Sequence, residues 1–273
     1  MMRSNREYRA EARTKLLGNY GTVIGAYILY SLILNLLTTP LSLVTGLDSF
    51  FPIPGIGIVV SLPLSLLLSF VSVLFAAGVD KISYDISYDR KGDVSDIFYC
   101  FKHEPFTVVF CYLWILLRML PGIIIFVIGM IVFAALTVSG MSGGSFAAAA
   151  AVISVASLIY LVWIFVVKLG VSMTFFLYYE NPGMRARDIV DTSVRMMKGN
   201  KGRLFSLYLS YIGYYILAFL SCGLALLWLN PNITVSTALF YDDLKKEGSG
   251  SYVNDEPVKD TASGVYYHQE YWN

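Results

Sequence analysis

The sequence predicts an all-α fold, a polytopic membrane helix bundle of about six spans with amphipathic surface helices on its cytoplasmic side. Three observations support this prediction. Hydrophobic residues make up 56% of the chain and charged residues 14%, with a mean hydropathy of +0.63, which is too apolar for a soluble domain. Several uncharged segments reach the roughly 20 residues that a helix needs to cross a bilayer. Lys and Arg collect in alternate loops, as the positive-inside rule describes.

The chain begins with a surface helix and a first span. Residues 4–17 predict an amphipathic helix, because Ser4 and Glu7 match a capping box and Glu11 and Lys15 are spaced to pair. Its narrow apolar stripe consists of Tyr8, Ala12 and Leu16. Residues 20–37 predict the first span. The basic start resembles a signal peptide, but no small-residue cleavage site follows, so we interpret this segment as a retained anchor.

Three further spans are predicted at residues 56–79, 106–138 and 146–179. The charged loop 80–104 separates the first two of these and contains a second surface helix. The apolar face of that helix consists of Val94, Ile97, Phe98 and Phe101, which follow Asp93 at helical spacing.

A third surface helix is predicted to start at Asn181, which can cap a helix, with Pro182 in its first turn. We expect it to lie flat on the bilayer and to lead into a fifth span at 203–221. Its apolar face consists of Ala186, Ile189, Val190, Ser193, Val194 and Met197.

A sixth span is predicted at 224–241, after a tight hairpin and with an interruption at Asn230-Pro231. Residues 1–244 therefore form the predicted membrane domain. Residues 245–273 are rich in Gly, Ser and acids without periodicity, which predicts a disordered cytoplasmic tail.

The distribution of charge predicts the orientation. With six crossings, every Lys and Arg lies on one side of the membrane except Arg118 and Lys168, which lie inside apolar segments. We therefore expect both termini in the cytoplasm and the protein in the cell membrane. A net charge of +1 gives no reason to expect a nucleic-acid partner, so membrane lipids are the expected partners. The aromatic residues of 265–273 suggest, as an alternative use of the tail, docking on a protein.

A unit of surface helix, span, external turn and returning span occurs three times. The returning spans end in an aromatic residue followed by an acid, at Tyr84-Asp85, Tyr179-Glu180 and Tyr241-Asp242. This pattern predicts a three-fold internal repeat of helical hairpins. Chance similarity among apolar helices is the alternative interpretation.

Arg118 and Lys168 are the most informative charged positions. One interpretation is that they are border charges whose side chains extend to water. A second is that they bind lipid phosphate, since no carboxylate lies within either apolar segment to neutralise them. A third is that they belong to a substrate pathway. The lipid-phosphate hypothesis also includes the basic residues around the start of the fifth span. These are Arg195, Lys198, Lys201 and Arg203.

No catalytic chemistry is predicted. The three cysteines and two histidines have no zinc-binding or redox spacing, and no nucleotide-binding or hydrolase motif is present, so we predict neither a cofactor nor a catalytic residue. A set of acids in and near the second loop would either bind a divalent ion or form a solvated face, and their spacing matches no motif. They are Asp80, Asp85, Asp89, Asp93, Asp96 and Glu104.

Several short segments carry a family resemblance. They are Met196–Asn200, Leu204-Phe205, Leu209–Gly213, Leu227–Leu229 and Phe240–Leu244, together with the Ala-Glu-Ala-Arg motif that ends at Arg13, Leu17-Gly18-Asn19 and residues 168–182. These resemble the bacterial integral-membrane family catalogued as domain of unknown function 975. The chain departs from that family at Asn230-Pro231-Asn232 and around Pro121. The resemblance implies a topology and no activity.

The sequence thus favours a non-enzymatic membrane scaffold or sensor that contacts anionic lipid headgroups. The alternative is a small transporter or permease subunit, suggested by the repeat and by the interrupted fifth-to-sixth turn. A membrane enzyme is the third hypothesis.

Overall fold

The computed structural model describes residues 3–45, 56–138, 144–248, 258–259 and 266–267, nearly all of them helical. In chain order the helices are α1 (Asn5–Leu16), α2 (Tyr20–Thr45), α3 (Ile56–Ser87), a 3-10 helix (Val94–Phe98), α4 (Tyr99–Lys102), α5 (Pro105–Val138), α6 (Gly144–Val171), α7 (Thr174–Glu180), α8 (Ala186–Met196), α9 (Lys201–Leu209), α10 (Ile212–Leu220) and α11 (Leu226–Gly248). Two short strands, β1 (Val258–Lys259) and β2 (Tyr266–Tyr267), pair antiparallel.

Five helical stretches of the described chain are long and apolar enough to cross a membrane. They are Tyr20–Pro40, Val59–Ser87, Pro105–Ala135, Ala149–Glu180 and Lys201–Leu220. Their most apolar windows are only 6% to 22% buried within the protein. A soluble bundle would bury such surfaces, whereas lipid solvates them without cost. The predicted polytopic helical membrane fold is therefore confirmed.

The sixth predicted span differs from these five. Residues 224–241 fall mainly in α11, which is not among the apolar stretches because polar residues such as Asn232, Asp242 and Asp243 lower its hydropathy. This helix buries its apolar side chains against α1, α2 and α3. It therefore contributes to the protein core over much of its length.

The boundary predicted at residue 244 lies inside α11, which continues to Gly248. The tail predicted to be disordered is therefore helical at its start, because Lys245 and Lys246 extend the last turns of the helix. Beyond Gly248 only the four strand residues belong to the described chain.

The fifth span consists of two helices. The helical hydrogen bonding of α9 ends at Leu209 and α10 begins at Ile212, so Ser210 and Tyr211 form a break within the apolar stretch. The Arg9 guanidinium of α1 donates a hydrogen bond of 2.8 Å to the Ser210 carbonyl at this break. A carbonyl freed from the helical ladder is thus satisfied from another helix.

The local predictions for α1 are confirmed. The Ser4 hydroxyl accepts from the Glu7 amide at 3.4 Å, and the Glu7 carboxylate accepts from the Ser4 amide at 2.6 Å, which completes the capping box. The whole predicted apolar stripe of the helix is buried. The predicted pair between Glu11 and Lys15 is wrong, since Glu11 contacts Arg3 and Lys15 contacts Asp89. Tertiary partners replace the local one.

The second surface helix is present as the 3-10 helix followed by α4. The Asp96 carboxylate accepts from the Asp93 amide at 3.0 Å and caps the segment. Ile97 lies directly against Gly78 of α3, where any added Cβ would collide with the Ile97 carbonyl. Glycine at position 78 therefore permits the close approach of this segment to α3.

The third surface helix, α8, starts at Ala186 and not at Asn181. The Asn181 amide side chain instead donates to the Leu177 carbonyl of α7 at 3.1 Å. The predicted apolar face is buried at Ile189, Val190 and Met197, but it packs against α5, α6 and α7. The expectation that this face rests on the bilayer is therefore corrected, because neighbouring helices cover it.

Candidate functional site

Most of the predicted lipid-phosphate residues lie where α6, α8 and α9 meet. The rings of Phe165 on α6 and Phe205 on α9 are 5.3 Å apart, and the Lys201 side chain at the start of α9 lies against Gly170 near the end of α6. The two helices are therefore antiparallel. Lys168 follows Phe165 by about one helical turn, so it lies at the same end of this helix pair as Lys201.

Four of the six predicted cations carry charge that no carboxylate balances within the described residues. Lys168 and Lys198 are exposed and make no hydrogen bond or ion pair there. Lys201 is half-buried over Gly170. Arg195 donates only to the hydroxyl of Thr192, at 3.1 Å. We call these four residues, Lys168, Arg195, Lys198 and Lys201, the cationic junction.

Arg118 has a different environment. Its guanidinium forms an ion pair with Asp191 of α8, and Asp191 also lies 3.6 Å from Arg187. Arg187 in turn stacks over the Trp114 ring at 5.4 Å. Asp191 was not predicted as the partner of Arg118, because it lies in α8, outside the apolar segments. The only local signal was the helical spacing of Arg187 and Asp191.

Arg203 also has a carboxylate partner, Glu247 of α11, at 3.2 Å. Both side chains are well exposed, so this pair contributes only about 0.2–1 kcal/mol. The structure thus separates the six predicted residues into two paired arginines and the cationic junction.

The three aromatic–acid endings of the proposed repeat meet in one cluster. The rings of Tyr84 and Tyr179 are 5.6 Å apart, and the rings of Phe176 and Tyr241 are also 5.6 Å apart. The Tyr241 hydroxyl donates to the Glu180 carboxylate. Each acid of the three endings has a lysine partner: Asp85 with Lys81, Glu180 with Lys245, and Asp242 with Lys246. The endings of the three units thus lie together, and one of these contacts, between Tyr84 and Tyr179, joins equivalent positions.

Lys81 is the most enclosed cation of this cluster. Its ammonium nitrogen lies 5.8, 5.1 and 5.9 Å from the ring centroids of Tyr84, Tyr99 and Tyr179, besides its pair with Asp85. Three aromatic faces and one carboxylate replace the water around this charge. The cluster therefore joins α3, α7 and α11 at a buried, charged point.

The acids considered as ligands of a divalent ion do not converge. Asp89 pairs with Lys15, Asp93 and Asp96 cap the 3-10 helix, and Glu104 accepts from the Thr107 hydroxyl at 3.2 Å. Within the ranges that the structure describes, no three Asp, Glu, His or Cys side chains form a group that could hold a metal ion.

Cys100 is a buried thiol beside this region. Burial raises its pKa to about 12, and the nearby Asp80 carboxyl contributes in the same direction. The thiol is therefore protonated at neutral pH, which does not suit a nucleophile.

Comparison with known proteins identifies a family and no activity. No curated protein matches the chain, and no solved structure matches it either. The family described as "Protein of unknown function (DUF975)" matches residues 1–248, which include every helix described above. The chain therefore belongs to the DUF975 family.

Proposed function

We propose that the protein is a non-enzymatic scaffold or sensor of the bacterial cell membrane that holds anionic lipid headgroups at its cytoplasmic side. One observation carries the proposal: within the described residues the cationic junction has no carboxylate partner, although ion pairs neutralise Arg118 and Arg203. Unbalanced cations at the end of lipid-facing helices attract anionic headgroups.

The expected strength follows from electrostatics near a charged bilayer. Each Lys or Arg close to an anionic surface contributes about 1 kcal/mol. Removing both Lys168 and Lys201, which lie at the same end of α6 and α9, should therefore weaken binding by about 2 kcal/mol, or roughly thirtyfold.

A titration with phosphatidylglycerol, followed by native mass spectrometry of the full chain in detergent, tests this proposal. The variant Lys168→Gln/Lys201→Gln should bind roughly thirtyfold more weakly than the wild type. The matched control is Lys91→Gln/Lys102→Gln, which removes two exposed lysines of the second loop. Equal weakening in both variants would show that the lipid is attracted diffusely by the whole cationic surface. Unchanged binding in Lys168→Gln/Lys201→Gln would show that the cationic junction does not bind the lipid. Either result contradicts the proposal.

A small transporter is the second candidate, favoured by Asp80. This acid lies in the apolar stretch Val59–Ser87 and has no hydrogen bond or ion pair among the described residues. Ionisable groups in such positions commonly mark ion pathways, and the broken fifth span is typical of transporters.

Solute flux in proteoliposomes tests this second candidate. We expect a flux driven by a proton or sodium gradient in the wild type and its loss in Asp80→Asn. A flux that Asp80→Asn leaves unchanged would contradict the role of Asp80, and no gradient-driven flux would contradict the transporter itself.

A further inference from the structure

A cleft of about 320 Å³ opens between α10 and α11, away from the cationic junction. Its apolar lining consists of Leu217, Ala225, Trp228 and Leu229, and its polar lining consists of Arg13, Tyr211, Tyr214 and Asn232. Leu217 and Trp228 are each 53% exposed, so the cleft is continuous with the apolar outer surface of the bundle. The volume is at the lower end of the range for small-molecule sites.

At its polar end the cleft is lined by Arg13 of α1, a helix that lies parallel to α9 and α10. Asn5 donates to the Ser206 hydroxyl at 2.8 Å, Arg9 donates to the Ser210 carbonyl at 2.8 Å, and Arg13 donates to the Tyr214 hydroxyl. These contacts recur every four residues on both sides, as expected for two helices in register. They place two successive arginines of α1 along the broken fifth span.

Both arginines also contact aromatic faces. The guanidinium carbon of Arg9 lies 6.0 Å from the Tyr211 centroid, and that of Arg13 lies 5.5 Å from the Tyr214 centroid. A guanidinium presents five N–H donors in a planar fork, and these contacts use only part of that capacity. The remaining donors can bind a phosphate oxygen.

The charge of these two arginines is not balanced by a nearby acid. In the described part of the chain neither Arg9 nor Arg13 contacts a carboxylate, whereas Arg3 and Lys15 of the same segment contact Glu11, Asp243 and Asp89. A positive charge at one end and an apolar lining at the other are complementary to an anionic amphiphile.

We propose that this cleft binds one anionic phospholipid, with an acyl chain between α10 and α11 and the phosphate on Arg13 and Arg9. The proposal deepens the proposed function, on which it rests for the class of lipid, but it depends on different residues. Arg13 provides the charge at the mouth of the cleft. Ala225 provides the space for the chain, because a larger side chain there would fill it.

Native mass spectrometry of the full chain in detergent tests this site with phosphatidylglycerol and phosphatidylcholine of identical acyl chains. The wild type should retain one phosphatidylglycerol in preference to phosphatidylcholine. Arg13→Gln should reduce this retention by about fivefold or more, as expected for the loss of one cation. Ala225→Phe should reduce it without changing the charge. Arg6→Gln is the matched control, since Arg6 is an exposed residue of α1 that makes no hydrogen bond or ion pair in the described chain.

Several outcomes would overturn the proposal. They are equal retention of the two lipids, unchanged retention in Ala225→Phe, an equal loss in Arg6→Gln, or displacement by a fatty acid of the same chain length. Arg13→Lys keeps the charge and should keep the lipid, which separates charge from folding. Loss of the retained lipid only in Lys168→Gln/Lys201→Gln would assign it to the cationic junction, and would refute the cleft while leaving the proposed function intact.

Discussion

Replacement of Asp243 by alanine is expected to release α1 from α11, because this carboxylate holds two residues of the N-terminal segment. It accepts a hydrogen bond of 2.8 Å from the Tyr8 hydroxyl and one of 3.1 Å from the Arg3 amide. The Arg3 guanidinium lies 3.2 Å from its second oxygen, an ionic contact without hydrogen-bond geometry. The Asp243 side chain is only 8% exposed, so water cannot readily replace it.

The magnitude follows from the groups left without a partner. The Tyr8 side chain is buried, and an unsatisfied buried hydroxyl costs about 1–3 kcal/mol. The ionic contact with Arg3 adds about 0.2–1 kcal/mol, because the Arg3 side chain is 27% exposed and partly screened. A central value of about 2 kcal/mol would increase the opening of α1 roughly thirtyfold.

Hydrogen–deuterium exchange of peptides from α1, measured in detergent, reports this opening directly. Asp243→Ala should accelerate exchange in Asn5–Leu16 by roughly the same factor as the opening. The matched control is Asp242→Ala, which removes the adjacent acid and its exposed pair with Lys246 at 2.6 Å, a contact of about 0.3–0.5 kcal/mol. If both variants exchange α1 at the same rate, Asp243 is not the anchor of this helix.

Three further perturbations follow from the same structure and can be measured by thermal unfolding in detergent. Gly78→Ala should destabilise the protein by about 1–3 kcal/mol because its Cβ would displace the 3-10 helix, whereas Gly21→Ala, where no atom lies within 4 Å, should not. Lys81→Met should reduce the free energy of unfolding by about 3–5 kcal/mol, because the Asp85 side chain, which is 10% exposed, loses its closest cation. The unfolding temperature should fall accordingly, and it should fall less in Lys81→Arg. Burial, and then the hydrogen bond to a carboxylate, raise the pKa of Tyr8. The protonated Tyr8 hydroxyl therefore stabilises the folded protein below about pH 10, and this stabilisation is lost as the pH rises further. Between pH 8 and pH 11 the free energy of unfolding of Tyr8→Phe should therefore fall less than that of the wild type.

Features that depend on neighbours along the chain were predictable. The apolar stripe of α1, its capping box and the cap of the 3-10 helix follow from helical spacing, and all are present. The start of α8 was predicted too early because Asn181 and Pro182 match helix-start signals, although Asn181 bonds back to α7. Asn181 and Pro182 are compatible both with the end of α7 and with the start of α8, so the local sequence does not determine where α8 begins.

The candidate site was only partly predictable. The six cations were identified as a group from the sequence, but Arg118 is neutralised by Asp191, a residue 73 positions away along the chain. The contacts that Arg9 and Arg13 make with other helices were not predictable from the sequence. Their contacts with the broken fifth span arise from the docking of α1, which no local pattern encodes.

The sequence by itself determined that the protein is helical and membrane-embedded and where its apolar helices lie, because a helix in lipid must satisfy its backbone hydrogen bonds within its own segment. Only the tertiary structure decided which charges are neutralised, that the three aromatic–acid endings meet, and that α8 and α11 bury their apolar faces in protein. Contacts such as the one between Arg3 and Asp243 join residues 240 positions apart. They form only when the packing of whole helices brings the two groups together, and this packing depends on all the helices at once.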